Sequence, residues 1–257
     1  MRRIGQRIGA ARSVRAFAVE VLVIVFGVLL ALGGQELVND WTSRQRVAKG
    51  EELLRAEGEQ ATMLLVEEVA TTPCVIAQID RLKAALAAPG PWRGAPSSDT
   101  VIGPAVIRAP SRPLSNSAWA SLMADGTATH FPSDAANRTA VLVAQQDSLR
   151  GSMEATDAQR AKLNFLVDPV PLDAAMRTGF LQLLGQLRWD TQRQGMKAAQ
   201  LLRMYAQLRR LPGKARVEAG VAELGPTSTM AECSAQGLPL VDWRTAFDAA
   251  AASAAAD

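Results

Sequence analysis

An apolar run near the N-terminus constrains this chain more than any other part of its sequence. The residues VLVIVFGVLLAL at 21–32 contain no charge, and the wider segment 16–34 contains one charged side chain, that of Glu20. A helix over that segment is about 28 Å long at 1.5 Å per residue, which is enough to span the hydrocarbon core of a bilayer. The sequence therefore predicts a transmembrane helix over 16–34.

The same run also fits a cleaved signal peptide. Its apolar core at 21–32 has the length typical of such peptides, and Ala31 and Gly33 are small enough to precede a cleavage site. We expect a retained anchor instead, because the helical pattern continues to about residue 72 and leaves no extended stretch near Gly33 for a signal peptidase. Glu20 is tolerable one turn inside the membrane, where its carboxylate can reach lipid headgroups or Arg15.

Charge predicts the orientation of this anchor. Residues 1–15 form a basic tail, and such tails stay on the cytoplasmic side, where they also meet anionic lipid headgroups. Everything after residue 34 is then extracytoplasmic. That body has almost no net charge, since five of the 28 basic residues precede the run and all but one of the 25 acidic residues follow it. Nucleic-acid binding needs a concentrated basic face, so no nucleic-acid partner is expected.

The stretch VEVLVIVFGVLLALGGQELVNDW at 19–41 resembles the N-terminal signature of a family of uncharacterised bacterial envelope proteins. Members carry one membrane helix with an early Glu, a central Gly, an Ala-Leu pair and an Asn-X-Trp just past the membrane. The matching residues are Glu20, Gly27, Ala31, Leu32, Asn39 and Trp41, whereas Val19 and Asp40 replace the usual Gly and Asn. SAWASLMADGTATHF at 117–131 is similar to a second family segment. The resemblance implies a retained anchor in the bacterial inner membrane and no settled activity.

Arg15, Glu20, Gly27 and Trp41 are the candidate anchor residues. Glu20 is interpreted as a charge that reaches the membrane interface, with a role in helix association as the alternative. Trp41 fits the aromatic belt at the outer interface. Membrane lipid is therefore one expected partner.

Beyond the membrane, apolar residues recur at spacings of three, four and seven up to about residue 72. This pattern predicts a helix that continues out of the bilayer as a stalk and ends at Pro73, followed by a second helix over 74–88. Residues 89–113 hold six of the thirteen prolines. They are expected to form a loop with at most short extended pieces around Val101 and Val106, and loops of this length are often functional or mobile.

Helical patterns return after the loop. Helices are predicted over 114–124, from an N-cap at Ser133, over 171–211, over 214–224 and around Trp243, with an Ala-rich tail at 249–257. The expected fold is mainly α: one transmembrane helix continuing into a stalk, followed by an antiparallel helical bundle in an extracytoplasmic domain over 35–248.

The helix predicted over 171–211 carries the strongest apolar stripe. Only Asp190 and Gln194 interrupt that stripe, and they mark either a buried polar contact or an exposed break. A buried carboxylate would need an arginine from a neighbouring helix or the stalk. At an exposed break, Trp189 would be a natural contact for a partner.

Cys74 and Cys233 are the two cysteines of the chain. In an oxidising compartment an even pair is more often bonded than free, so a disulfide is predicted, with two separate buried thiols as the alternative.

Few residues suggest chemistry. A single histidine, His130, excludes multi-histidine metal sites and leaves one candidate imidazole base. Phosphate loops, dinucleotide fingerprints and nucleophile elbows are missing from the sequence. We therefore expect no enzyme and no cofactor.

Two classes of function remain. The first is an anchored interaction or scaffold module that binds another envelope protein or a second copy of the chain. The second is a sensor-like bundle that binds a small ligand in a core gap near Asp190 and Gln194. A sensor needs a cytoplasmic output domain, and the fifteen residues before Ala16 are too few to fold into one, so the first class is favoured.

Overall fold

A computed structural model describes the backbone of residues 5–96, 98–100, 103–225 and 228–253, and the side chains of 17–96, 105–225 and 228–253. The chain divides into two compact units, Met1–Lys49 and Gly50–Asp257. Both units contain part of helix α1 (Gly5–Ala87). The chain is mainly α-helical, as predicted.

In the first unit, the large apolar side chains between Phe17 and Leu32 are exposed. The helix contains an 18-residue window long enough and apolar enough to cross a membrane, and none of that window is buried. A signal sequence passes the same test of length and composition. Arg15 lies in the helical part of this unit, but its side chain falls outside the described residues.

The second unit begins with the part of α1 from Gly50 to Ala87, which is the central helix of the body. Its buried apolar residues include Leu54, Ala61, Leu65, Val66, Ala70, Val75, Ile79, Leu82 and Leu86. Two expectations are therefore corrected. The residues from Gly50 onward belong to the bundle rather than to a stalk, and the helix does not end at Pro73, which lies inside it.

Pro73 is accommodated because α1 is buried on both sides of it. Val66 before the proline and Ile79 after it are almost fully buried, so ending the helix at Pro73 would expose core. A proline also removes a backbone donor and leaves preceding carbonyls without their helical partners. One nearby carbonyl, that of Ala70, accepts the N–H of Val241 at 3.0 Å. Tertiary contacts thus override the local preference for a helix end.

The described residues within 88–116, between α1 and the next helix, form an irregular segment, as predicted for 89–113. It contains a short antiparallel hairpin formed by β1 (Ser98–Thr100) and β2 (Gly103–Ala105). Val106 directly follows β2, and Val101 lies outside the described residues.

The remaining helices in the described part of the chain are α2 (Ser117–Ala124), α3 (Ser133–Leu163), α4 (Ala174–Gln207), α5 (Lys214–Glu223), α6 (Thr229–Ala235) and α7 (Trp243–Ser253). Two 3-10 turns, Thr127–His130 and Asn164–Leu166, precede α3 and follow it. Pro132 rather than Ser133 occupies the N-cap of α3. Helix α7 includes the start of the Ala-rich tail, where Ala250 is buried.

Helix α4 runs antiparallel to both α1 and α3, which are parallel to each other. The order of the cross-helix contacts gives these directions: Arg188 with Asp80, Arg210 with Glu51, Gln194 with Thr156, and Gln146 with Tyr205. Helix α7 packs against α4. The predicted helical bundle is confirmed, with α4 as its antiparallel member.

Candidate functional site

The disulfide between Cys74 and Cys233 joins α1 to α6. The two Cα atoms are 6.0 Å apart, within the range that a disulfide requires, and the predicted bond is confirmed. Both cysteines are fully buried. A second contact holds α6 to α1, because the Glu67 carboxylate accepts the backbone N–H of Thr229 at 3.0 Å.

Two adjacent carboxyl groups, those of Glu67 and Glu68, are buried in the middle of α1. Desolvation raises the pKa of Glu67, while Arg112, the Thr229 and Met230 N–H groups and Arg108 lower it by smaller amounts. Burial favours the neutral form of a carboxyl group unless charges or donors compensate, and here the compensation is incomplete.

Glu68 faces α3 and has the more strongly shifted pKa. Desolvation raises the pKa of its carboxyl group to about 7, Arg160 opposes the rise, and Glu67 and Asp157 add to it. Arg160 is paired with Asp157 on its own helix, so its charge is shared. The sequence analysis did not identify Glu67 and Glu68. Two consecutive acidic residues directly after the apolar Val66 could have indicated buried carboxyl groups.

The three residues at the interruption of the apolar stripe of α4, Trp189, Asp190 and Gln194, lie in different environments. Gln194 is buried, and its amide nitrogen donates to Thr156 Oγ1 at 2.9 Å and to Ser152 Oγ at 3.2 Å, both on α3. The prediction of a buried polar contact is thus correct for Gln194. The core gap expected there is filled by hydrogen-bonded side chains.

Asp190 is half-buried and forms an ion pair with Arg193 on its own helix at 3.5 Å. The expectation that an arginine would reach it from another helix or the stalk is wrong, because the spacing of three residues already places a cation beside it. Trp189 is 58% exposed, and Met196, on the same side of α4 two turns later, is 49% exposed. Trp189, Asp190 and Gln194 therefore do not form one site.

A groove of about 550 Å³ opens between the last turns of α1 and the irregular segment that follows it. Residues of α1 (Gln78, Arg81, Leu82 and Ala85) form one side, and Trp92, Ala95 and Val106 form the other. Neither the residues nor the groove was predicted, because its two sides meet through contacts that sequence spacing does not show.

The far side of the groove is anchored by the turn after α3. The indole N–H of Trp92 and the backbone N–H of Ala95 both donate to the carbonyl oxygen of Leu166, at 3.0 and 2.8 Å. Gly94 between them has a φ of +91°, and a Cβ there would approach the Val167 carbonyl oxygen to 2.5 Å. Only glycine allows the chain to pass at this distance.

Gln78 fixes the irregular segment onto α1 from the other end. Its side-chain oxygen accepts the Arg108 backbone N–H at 2.7 Å, and its nitrogen donates to the Arg108 carbonyl at 3.1 Å. The same nitrogen lies 3.3 Å from Cys74 Sγ. The amide acts as a two-point clamp beside the disulfide, so both sides of the groove are held in place.

A polar network lies in the core near the start of the second unit. Arg210, 4% exposed, donates to Thr139 Oγ1 at 3.0 Å and pairs with Glu51 at 3.4 Å. Gln146 donates to the Tyr205 hydroxyl at 2.6 Å, and burial raises the pKa of that tyrosine. These contacts align α1, α3 and α4, and the network reaches solvent at Glu51, whose side chain is partly exposed.

The segment 117–131 packs at the start of the body. Trp119 and Phe131 are buried and meet edge to face, with ring centroids 6.3 Å apart. His130 is exposed at the end of the turn before α3, where a polar residue is expected. Within the described residues, no group of three or more His, Cys, Asp or Glu side chains could hold a metal ion.

Comparison of the chain with protein-family models, curated proteins and solved structures finds no match.

Proposed function

We propose that this chain is a single-pass protein of the bacterial inner membrane, with its N-terminus in the cytoplasm and its helical body on the periplasmic side acting as an interaction module. The observation that carries the proposal is the exposed apolar stretch of α1 from Phe17 to Leu32. Twelve large apolar side chains of this stretch are exposed. In water they would be unfavourable by many kcal/mol, at roughly 25 cal/mol for each Å² of apolar surface. A bilayer removes that cost.

The disulfide supports the periplasmic side. Structural disulfides persist in oxidising compartments and are rare in the bacterial cytoplasm. The basic tail of residues 1–15 supports the same orientation through the positive-inside rule.

Trp189 supports a partner on the exposed face of α4. Large aromatic side chains contribute much of the binding energy at protein interfaces, and Trp189 projects beside Arg193 with Met196 two turns away. The partner is another envelope protein or a second copy of the chain.

The alternative of a ligand in a core gap at Gln194 loses its basis, because Ser152 and Thr156 already satisfy that side chain.

Reporter fusions test the orientation. Alkaline phosphatase, which folds only after export, is fused to the full chain after residue 257 and, in a second strain, before residue 1. We expect enzyme activity from the first fusion and none from the second. Activity only from the second fusion would reverse the orientation, and activity released into the soluble periplasm would contradict the retained anchor.

Crosslinking in native membranes tests the interaction face. A photoreactive phenylalanine replaces Arg193, and Trp189→Ala is introduced beside it. Met123→Ala on α2 is the matched control, because Met123 is also 58% exposed. We expect a defined adduct that Trp189→Ala abolishes and Met123→Ala leaves intact, with unchanged melting temperature. Adducts insensitive to Trp189→Ala would reject this face.

A further inference from the structure

The groove beside α1 has the size and lining of a small-molecule site. Its volume of about 550 Å³ falls within the range of roughly 300 to 1,000 Å³ that is usual for ligand pockets. Leu82 and Ala85 of α1 face Trp92 and Val106 across it. The lining residues of α1 run from Gln78 to Ala85, about 10 Å of helix at 1.5 Å per residue, so an elongated apolar group fits along this side of the groove.

The groove is preformed. Trp92 is held by Leu166, and Gln78 holds the backbone of Arg108. The disulfide at Cys74 fixes α1 one turn before Gln78. Since few side chains would have to be ordered on binding, the entropic cost of association is low.

Arg81 places one positive charge at the edge of the groove. It is exposed and forms no ion pair with any side chain in the described part of the chain. Asp80, its neighbour in sequence, is engaged with Arg188 of α4 at 3.2 Å and so does not neutralise it. A guanidinium binds a carboxylate through two parallel hydrogen bonds.

We propose that this groove binds an amphiphilic monocarboxylate, a long unbranched alkyl chain ending in one carboxylate. The alkyl chain lies between Leu82 and Trp92, and the carboxylate pairs with Arg81. Among the described residues that line the groove, Arg81 carries the one charged side chain, which matches one negative charge on the ligand. The proposal does not depend on a protein partner at Trp189, which lies on α4.

Photolabelling of the full chain reconstituted in phosphatidylcholine vesicles tests this assignment. The probes are dodecanoate and dodecanol, each carrying a diazirine at the same mid-chain carbon, and adducts are mapped by mass spectrometry. Labelling of residues 17–32 measures how much of each probe enters the bilayer. We expect the carboxylate probe to label residues of the groove, such as Trp92 and Val106, above that reference.

Three variants separate the contribution of the Arg81 charge from that of the apolar surface of the groove. Arg81→Gln is expected to reduce groove labelling by dodecanoate about tenfold, corresponding to the loss of one charge-assisted contact, without changing labelling by dodecanol. Lys83→Gln, two residues away, is the control and should change neither. Ala85→Trp fills the groove and should abolish labelling by both probes.

Two results would overturn the proposal. Groove labelling at the background level would show that no amphiphile binds there. Equal labelling by both probes, unaffected by Arg81→Gln, would remove the carboxylate from the assignment. Missing labels at residues 17–32 would instead contradict the membrane anchor, a failure that is distinguishable from both.

Discussion

At the scale of single residues, burial raises the pKa of two carboxyl groups in the body, those of Glu67 and Glu68. Glu68 is buried on α1, and desolvation disfavours its charged form. Arg160 of α3 favours the charged form, whereas Glu67 and Asp157 oppose it. Arg112 lines the same small gap as Glu68. The folded chain therefore binds a proton at this position more readily than the unfolded chain does. Because of this difference in proton affinity, protonation of Glu68 stabilises the folded chain relative to the unfolded one.

Glu68 is predicted to make the body less stable as pH rises. A pKa raised from 4.5 to about 7 contributes stability that is fully present below pH 4.5 and is lost as pH increases through 7, about 3 kcal/mol in total. Urea unfolding of Glu68→Gln between pH 5 and pH 8 should show a flatter profile and a higher stability than the parent at pH 8. Glu52→Gln, an exposed carboxyl on α1, is the control. An unchanged pH profile in Glu68→Gln would show that this carboxyl stays ionised.

Gln194 and Asp190 are predicted to differ in their contribution to stability. Gln194→Ala leaves the Ser152 and Thr156 hydroxyls of α3 without their shared donor in a buried place, at a cost of about 2 kcal/mol. Asp190→Ala removes a single long ion pair with a half-exposed arginine and should cost less than about 1 kcal/mol. Denaturant titration of the two variants compares them directly. A larger loss for Asp190→Ala would mean that this carboxylate has a buried partner.

At the scale of elements, the contact between α1 and α4 depends on a residue without a side chain. A Cβ at Gly195 would overlap with the side chain of Thr72, whose hydroxyl is bonded to the Glu68 carbonyl at 2.7 Å. Threonine is stiff about χ1, so it has little freedom to move aside. By contrast, a Cβ at Gly185 on the same helix meets nothing within 4 Å.

Alanine substitution is expected to change the stability of the body in opposite directions at Gly195 and Gly185. Gly195→Ala should destabilise the body by about 1 to 3 kcal/mol because it forces α1 and α4 apart. Gly185→Ala should stabilise it by about 0.5 to 1 kcal/mol, since alanine loses less backbone entropy in a helix. Thermal unfolding of both variants measures the difference. Stabilisation by both substitutions would show that the helices are not in close contact at Gly195.

Elements with a local signal were predictable from the sequence, and those set by distant contacts were not. The apolar stripe predicted α4 to within a few residues, and the Pro-rich composition predicted the irregular segment. Pro73 misled the prediction because burial of α1 on both sides outweighs the lost backbone hydrogen bond. The groove was missed because the Gln78 amide and the Leu166 carbonyl join it across 30 and 74 residues of chain.

At the scale of the whole molecule, the disulfide closes a sequence separation of 159 residues and so links the central helix to the end of the body. Chain-entropy arguments give about 4 to 5 kcal/mol for a loop of this length. The bond also lies beside the Gln78 clamp, so it supports the groove as well as the fold.

Breaking the disulfide is predicted to lower the free energy of unfolding by about 3 to 5 kcal/mol. The double variant Cys74→Ala and Cys233→Ala is compared with the parent by urea unfolding, and addition of a reductant to the parent should reproduce the shift. The reductant should have no effect on the double variant, which serves as its control. A loss of less than about 1 kcal/mol would mean that the unfolded chain is compact enough to make the crosslink unimportant.

Retention of residues 17–34 makes the chain an anchored protein, whereas cleavage of this segment releases the body from the membrane. The measurement is the mature N-terminus of the natively expressed protein in the membrane and soluble fractions, read by mass spectrometry under non-reducing conditions. We predict a chain that still contains residues 17–34, with Cys74 bonded to Cys233. A mature chain beginning at or near Gly34 would contradict the anchored account.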